Sequence, residues 1–461
     1  MLFFPCLTGL LLYTSVYGKP ADLTYASGII FPATAPVASG ISFSRATGAY
    51  TGIATATGAL TGSIRGTAIS GRPPGPEATR YQSDGRLHDP QPAPYVPGGG
   101  LGTNGTMPAY NVQSDYDYQS VALLLYASWL QLDLFDTGLS QFSQQDFLQA
   151  GLTANDFNLI QFMRGEVLGQ VTVLKNILGS SAPTRCAYRY PFKTLPEFND
   201  FSQKMAKVIE STVYGFAPHL DARGSAQVLL QAIAITARQQ LIFRQFEGLF
   251  PIPVWFETGI PQAWAWTLIA PYMSFCPGIN PRLVWQNFPA LRIINQPNPF
   301  SSNATAGTNT TLGPGLGAAN ISSIPPQSIC LNSTCTPSIS SNRTTPLSQP
   351  DQIVKLSWDK PGMRIGPNNS YTTTSMGKQP AYLAWVTQLN ITYTPITGAS
   401  NSSNGTSAQA TQPRFETFAG DPGVNGTIFV AITDANPFVT PFNLSLLNPH
   451  IVAGPAVYQA G

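Results

Sequence analysis

Residues 121–135 constrain the fold more than any other segment, because they are apolar nearly all round and contain a single charged residue, Asp133. A helix of this composition has no face for water and must be enclosed by other elements. Ser114, with Asp117 three residues later, predicts the start of this helix, and Gly138 predicts its end. The chain therefore needs partner helices that surround this segment.

Three further long helices and two short ones are predicted downstream. The long helices are expected at about residues 153–178, 196–213 and 225–247, and the short ones at 143–150 and 261–270. Short connections join the first long helix to the second and the third to the fourth, whereas a longer crossover joins the second to the third. This count and this loop pattern predict a four-helix bundle of the ferritin-like kind.

The C-terminal part of the chain has a different pattern. Four runs partly alternate apolar and polar residues between Pro, Gly and Asn turns, at residues 352–358, 381–393, 427–433 and 438–447. Alternation of this kind predicts strands of a small antiparallel β domain. The expected fold class is therefore α+β and multidomain, with a ferritin-like bundle over residues 111–300 and a β-rich domain over residues 351–461.

The remaining segments are predicted to lie outside these two domains. Residues 1–18 are typical of a secretory signal peptide, and residues 19–110 of a low-complexity, disordered arm. Residues 301–350 read as a linker rich in Ser, Thr, Asn and Pro. Only 10% of the 461 residues are charged and the net charge is +2, which disfavours a nucleic-acid partner. No stretch is long and apolar enough to predict a stable membrane span.

Glycosylation sequons and cysteines agree with secretion. Twelve N-x-S/T sequons predict a glycosylated surface: Asn104, Asn303, Asn309, Asn320, Asn332, Asn342, Asn368, Asn390, Asn401, Asn404, Asn425 and Asn443. Four cysteines remain after signal removal, and in an oxidising compartment they allow three disulfide pairings. We expect Cys330 to pair with Cys335 across a small loop and Cys186 to pair with Cys276.

Several strings in the chain resemble one known family. They include DYQS at 117–120, the segment 129–135, IQFM at 160–163, NILG at 176–179, YGF at 214–216, ARQQ at 237–240, FRQFEGLFP at 243–251, WQNFP at 285–289 and the terminal residues 449–461. Together they resemble the secreted fungal ferritin-like proteins labelled stress-response or late sexual development proteins, which are distant relatives of desiccation-related proteins. The resemblance covers about residues 112–300 and 350–461.

The resemblance also implies where metal ligands would lie. Ferritin-like metal centres take inward carboxylates from each helix, and two helices supply Glu-x-x-His, which is absent from this chain. At the corresponding positions the chain has Ser128, Gln131, Val167, Gln170, Thr236 and Gln239, with Glu210 retained and Glu166 one place off register. One carboxylate cannot neutralise two divalent ions in an apolar bundle. We therefore expect no cofactor and a buried polar pair between Glu210 and Arg238.

Alternatives remain open at this point. Asp133, Glu166 and Glu210 could form an irregular site for iron or manganese, with glutamine carbonyls as weak ligands. The tryptophans Trp255, Trp264 and Trp266 could line a sugar-binding surface, although their apolar neighbours favour core packing.

The predicted function is a non-catalytic, secreted glycoprotein of the fungal cell surface, and its link to stress or development is implied by the resemblance alone. The alternatives are a metal-dependent oxidase or metal-binding protein and a carbohydrate-binding cell-wall protein that acts through the β domain. Cell-wall polysaccharide and self-association are the expected partners.

Overall fold

The computed structural model describes residues 105, 110–297, 346–402, 405–417, 420–421 and 423–461. Several predictions fall outside these residues: the signal peptide, nearly all of the arm and of the 301–350 linker, the pair Cys330–Cys335, and seven sequons. Those sequons are Asn104, Asn303, Asn309, Asn320, Asn332, Asn342 and Asn404.

Six α-helices occupy the first half of the described chain, as the sequence predicts. They are α1 Asp115–Gln141, α2 Gln144–Gln149, α3 Ala154–Leu178, α4 Leu195–Phe216, α5 Arg223–Phe246 and α6 Gln262–Ile269. Side chains of Ser114, Ser143, Thr153 and Thr194 accept hydrogen bonds from the first turns of α1, α2, α3 and α4. Helices α1, α3, α4 and α5 form the four-helix bundle, and the ferritin-like architecture is confirmed.

The end of α1 differs from the prediction, because Gly138 lies inside the helix and does not stop it. The helix continues to Gln141, and Gly138 is buried against the aromatic ring of Phe198 on α4. A Cβ atom built on Gly138 would clash with this ring, so a larger residue at this position would force α1 and α4 apart. The glycine is therefore required for close helix packing and not for a turn.

Eleven β-strands complete the described structure. They are β1 Ala187–Tyr188, β2 Met273–Phe275, β3 Leu291–Ile293, β4 Ile353–Trp358, β5 Arg364–Ile365, β6 Tyr371–Thr372, β7 Tyr382–Thr387, β8 Asn390–Ser402, β9 Gly405–Thr411, β10 Thr427–Thr433 and β11 Ile451–Gln459. Seven of them form one antiparallel sheet in the order β11-β10-β7-β8-β9-β4-β3. The sheet thus includes β3, which precedes residues 301–350 in the chain.

The strand predictions are partly confirmed. The run 427–433 is β10, the run 352–358 is β4 with one residue fewer, and the run 381–393 covers β7 and the start of β8. The predicted strand at 438–447 is wrong, since residues Pro441–His450 form 3-10 turns. Two prolines, Pro441 and Pro449, bracket this segment, and proline lacks the N–H that a sheet requires. The true strand, β11, begins immediately afterwards.

Strands β7, β10 and β11 are buried on both faces of the sheet, and each face belongs to a different hydrophobic core. Along β7, Ala384 and Val386 pack on the helices, whereas Leu383 and Trp385 point to the opposite side. The sheet curls so that its edge strands approach each other: the Gly454 N–H donates to the Pro289 carbonyl at 2.8 Å. The second core fills the concave side of this curl. No helix in the described part of the chain is long and apolar enough to cross a bilayer.

Candidate functional site in the helical bundle

Three of the predicted site residues form a hydrogen-bonded chain across the bundle. The Gln131 Nε2 on α1 donates to the Gln239 Oε1 on α5 at 2.9 Å, and the Gln239 Nε2 donates to the Glu166 Oε2 on α3 at 2.9 Å. Both glutamines are buried, whereas Glu166 is exposed. We call Gln131, Gln239 and Glu166 the amide chain. It links three helices through neutral side chains and brings one solvated carboxylate to its end.

Glu210 does not have the partner that the sequence suggested. Its carboxyl group on α4 is fully buried, and neither of its oxygens has a hydrogen-bond partner, although Tyr214 and Lys207 lie close enough to lower its pKa. Burial outweighs these two neighbours and raises the pKa of Glu210 above its ordinary value. Arg238 is exposed on α5 and makes no ion pair with Glu210, so the predicted Glu210–Arg238 pair is wrong. Lys207, which the sequence reasoning did not consider, is the nearby cation, although its own ion pair is with Glu257.

The other four ligand positions have neither a carboxylate nor an imidazole. Val167 is buried and apolar, and Thr236 is buried with an unpartnered hydroxyl. Ser128 and Gln170 line a cavity of about 200 Å³ whose walls are otherwise built mainly from leucine, valine and isoleucine side chains of α1, α3 and α5. The Gln170 Nε2 donates to the Ala232 carbonyl at 3.2 Å, which leaves the amide turned toward backbone. An ion in this cavity would lie against hydrocarbon.

Asp133 makes its contacts with other residues, at the bundle surface. It pairs with the Arg185 guanidinium at 2.6 Å and accepts a hydrogen bond from the Tyr190 hydroxyl at 3.0 Å. The same arginine also binds Asp136, so these charges form a network at the bundle surface. Among the described residues, no group of three or more His, Cys, Asp or Glu side chains is placed to hold a metal ion. Asp133, Glu166 and Glu210 are therefore not brought together.

A dinuclear centre of the ferritin-like kind does not fit these residues. Two divalent cations carry four positive charges, which the metal-binding members of the fold neutralise with carboxylates from all four helices. The corresponding positions here offer three amides, two hydroxyls, one apolar side chain and Glu210. The desolvation free energy of that much uncompensated charge would far exceed the free energy gained from coordination by the weak amide ligands.

A second polar group in the bundle was missed by the sequence reasoning. On α4, Asp200 and Lys204 form an ion pair at 2.7 Å, and both side chains are 2% exposed. Glu247 at the end of α5 is also fully buried, with both oxygens unpartnered. Burial and the nearby Asp200 raise the pKa of Glu247 well above its ordinary value, against the opposing effect of Lys204 and Arg244. We call Asp200, Lys204, Arg244 and Glu247 the charged cluster.

Arg244 connects the charged cluster to the sheet. Its guanidinium donates to the carbonyls of Phe250, Asn425 and Gly461 at 2.8, 3.0 and 2.8 Å. It also donates to the Thr427 hydroxyl of β10 at 3.3 Å. Burial lowers the pKa of Arg244 to about 10, so the group stays cationic at neutral pH. One side chain of α5 thus satisfies three carbonyls that lie outside the strands and contacts the sheet through the Thr427 hydroxyl.

Comparison with known proteins agrees with this architecture. A family model described as a ferritin-like domain matches residues 114–249, which run from the cap of α1 to just past α5. The chain is 45% identical over 370 residues to protein rds1 of Schizosaccharomyces pombe, a match that covers 80% of this chain and 87% of that protein. The chain belongs to this fungal ferritin-like family. The domain match contains every position of the amide chain and the charged cluster, whereas the match to rds1 is too long to be confined to the bundle.

The charged cluster was not predicted from the sequence, because the spacing of its residues does not indicate that they are buried. Asp200 and Lys204 have the i, i+4 spacing of an ordinary solvent-exposed helical pair. The available signal was their neighbourhood: Phe198, Phe201 and Met205 lie beside them along α4 and are fully buried. Arg244 lies between Phe243 and Phe246 in the same way. A charge enclosed by aromatic residues on a central helix indicates a buried ion pair.

The remaining predictions concern a disulfide and the tryptophans. Cys186 and Cys276 form a disulfide, which links the crossover between α3 and α4 to the segment after α6. Trp264 and Trp266 are buried as core packing predicts, whereas Trp255 is 56% exposed.

Five sequons lie within the described residues. Asn368, Asn401 and Asn443 are exposed, and Asn390 and Asn425 are half-buried.

Proposed function

We propose that this protein is a secreted glycoprotein of the fungal cell surface or matrix, in which the ferritin-like bundle is a non-catalytic scaffold. The role in stress response or development is part of the proposal and is drawn from the resemblance of the sequence to fungal proteins with those labels. The exposed sequons and the disulfide support the extracellular setting, since both modifications belong to oxidising compartments.

The amide chain is the observation that carries the non-catalytic part of the proposal. Gln131 and Gln239 lie on two of the helices that supply ligands in metal-binding members of the fold, and they hydrogen-bond to each other. The hydrogen bond from the Gln131 N–H occupies one lone pair of the Gln239 Oε1, which a cation would otherwise use. The bundle interior is thus stabilised by neutral hydrogen bonds where a metal centre would use ionised carboxylates.

The charged cluster supports the scaffold part. Arg244 ties α5 to residues 425, 427 and 461, so the bundle and the sheet are packed as one unit. A rigid two-part body with glycans on exposed turns suits a structural protein of the cell exterior.

The experiment that tests the proposal measures oxygen consumption by the glycosylated protein purified from the culture medium, with iron(II) or manganese(II) supplied. The proposal predicts a rate equal to that of buffer containing the metal alone. Recovery of the protein from medium, with a mass decrease after enzymatic removal of N-glycans, tests secretion and glycosylation in the same preparation. A rate above background that requires the folded protein would reject the non-catalytic scaffold.

A second candidate function rests on Glu210. A fully buried carboxyl group with two unpartnered oxygens is an acceptor that could receive a single cation. If the protein is a metal-binding protein or an oxidase, Glu210→Gln should abolish metal uptake or oxygen consumption. Gln170→Ala is the matched control, because Gln170 lies at another ligand position but donates to backbone.

A further inference from the structure

Two strongly exposed aromatic side chains lie in the turns that precede β11. Phe438 is 90% exposed and Phe442 is 68% exposed. Between residues 435 and 449 the chain has no Asp, Glu, Lys or Arg. Rings left in water forgo the free energy that burial of apolar surface provides, and an apolar surface without nearby charges favours association. This stretch therefore lacks the charged side chains that usually keep such a surface in solution.

The residue after Phe442 is an asparagine in a glycosylation sequon. Asn443 begins the sequon Asn443-Leu444-Ser445, and its side chain is exposed. The Asn443 Oδ1 accepts hydrogen bonds from the Thr440 backbone N–H at 2.7 Å and from the Thr440 hydroxyl at 3.3 Å. The Asn443 Nδ2 donates no hydrogen bond within the described part of the chain. The turn thus holds the amide oxygen and leaves the nitrogen that would carry a glycan at the surface.

The other described sequons lack this combination. The Asn368 Nδ2 donates to the Cys276 carbonyl at 3.0 Å, so that amide nitrogen already has a partner. Asn401 is exposed, and its Oδ1 accepts from the Thr406 hydroxyl at 2.8 Å. The four residues before Asn401, however, are Thr, Gly, Ala and Ser. Among the sequons that the structure describes, Asn443 alone directly follows an exposed aromatic ring.

We propose that Asn443 carries an N-linked glycan whose first sugar packs on the Phe442 ring. In the modification, the Asn443 Nδ2 bonds to the anomeric carbon of a lipid-linked oligosaccharide. The bond from that carbon to the lipid pyrophosphate breaks, the pyrophosphate leaves with the electron pair, and the amide nitrogen loses one proton. The C–H groups of the first sugar then face the electron-rich face of the ring. The inference rests on the glycoprotein part of the proposed function.

The glycan also accounts for the missing charges. Its hydroxyl groups supply at residues 435–449 the hydration that charged side chains supply elsewhere. The competing occupant of the Phe442 ring is a second copy of the chain. A glycan attached one residue away would lie between the ring and another protein surface, so the two occupants exclude each other.

The test begins with glycopeptide mass spectrometry of the full chain purified from culture medium, which reports the occupancy of each sequon. Thermal unfolding then compares Phe442→Ala in three backgrounds: wild type, Ser445→Ala and Asn401→Gln. Ser445→Ala removes the sequon but keeps the Asn443 amide and its hydrogen bonds to Thr440. Asn401→Gln is the matched control, because it removes a sequon that has no aromatic neighbour.

We expect Phe442→Ala to lower the unfolding temperature by about 3 °C in the wild type and in Asn401→Gln, and by less than about 1 °C in Ser445→Ala. Glycan removal and ring removal are then coupled, as groups in contact are. An equal decrease in all three backgrounds would overturn the inference. So would a wild-type dimer in sedimentation that Phe442→Ala dissociates, since the ring would then contact a second copy.

Mass spectrometry separates this inference from the proposed function. A glycan on Asn401 with Asn443 unmodified would overturn the inference and leave the protein a glycoprotein. Absence of a glycan from every sequon would overturn the inference together with the glycoprotein part of the proposed function.

Discussion

The amide chain and the charged cluster lie in the same bundle, share α5, and use opposite chemistry. The amide chain joins α1, α5 and α3 through neutral donors and acceptors, and its single carboxylate is exposed. The charged cluster buries two carboxyl groups and two cations between α4, α5 and the sheet. Titratable groups are therefore clustered in the interior where they join parts of the fold, whereas the positions where the fold family would hold a metal keep Glu210 as their one buried carboxyl group.

Desolvation explains this division. A buried charge is tolerated only when partners surround it, and a lone member of a broken pair is strongly destabilising. In the charged cluster, Arg244 finds three carbonyls and a hydroxyl, and Lys204 finds Asp200. At the ligand positions, only a bound metal could compensate several carboxylates. Amides remove this requirement, and we expect the bundle to be stable without a cation.

The largest expected effect comes from Arg244→Ala. The variant removes the hydrogen bonds to the carbonyls of Phe250, Asn425 and Gly461 and one of the two cations near Glu247, and we expect a loss of about 5 kcal/mol in the free energy of unfolding. Urea unfolding measures this loss, and hydrogen exchange should show reduced protection of β11. Arg238→Ala on the same helix is the control, because Arg238 is exposed and should change stability by less than about 0.5 kcal/mol. Equal effects of the two variants would contradict the assigned role of Arg244.

Lys204→Met should have the next largest effect. It leaves Asp200 as a buried carboxylate without its ion-pair partner, at a cost of about 3 kcal/mol. Adding Asp200→Leu to this variant should recover most of the loss, because an apolar pair of similar size needs no compensation. Urea unfolding of both variants provides the comparison. A double variant less stable than the single one would show that the charges stabilise the fold in their own right.

Gln239→Ala tests the amide chain. The substitution removes both hydrogen bonds and leaves the Gln131 amide buried without that partner, so we expect a loss of about 2 kcal/mol in the free energy of unfolding. Gln231→Ala, at an exposed position of α5, serves as control. A loss as large as that of Lys204→Met would erase the contrast between neutral and charged groups.

Near pH 5, Glu247→Gln should have the smallest effect of these variants, and its effect should grow as the pH rises. The pKa of Glu247 is raised above its ordinary value of 4.5, so above about pH 4.5 the folded protein binds more protons than the unfolded chain. The contribution of Glu247 to stability is therefore fully present below that pH and is lost as the pH rises, by about 1.4 kcal/mol per pH unit.

Glutamine resembles the protonated carboxyl group and does not titrate. The free energy of unfolding of Glu247→Gln, measured between pH 5 and 7, should fall less with pH than that of the wild type. Parallel curves for the two proteins would show that Glu247 titrates normally.

Sequence patterns predicted the helices because caps and periodicity are local. Ser143 and Thr153 begin α2 and α3 through capping boxes that depend only on residues three positions away. Gly138 was misread because its neighbour in space, Phe198, lies 60 positions away. The strand β11 was missed for a related reason: Gly454 and Pro455 interrupt its alternation, and its pairing with β10 is not encoded in its own sequence.

The candidate site was partly predictable from the sequence, because positions along a helix follow from local spacing. Gln131, Gln239 and Glu166 were identified by their positions along three helices, and the structure brings them together. The predicted pair between Glu210 and Arg238 was wrong, since helical spacing alone does not show that Arg238 is exposed while Glu210 and Lys207 are buried. Burial of a charge depends on how elements pack, and packing is the part that a single sequence specifies least directly.

Metal content is the measurement that tests the central claim most directly. Elemental analysis of the native protein, purified without chelators from the culture medium, counts iron, manganese and zinc per chain. The amide chain predicts far less than one ion per chain for each metal. One or more tightly bound ions per chain, lost in Glu210→Gln or Glu166→Gln while the fold is retained, would contradict the account.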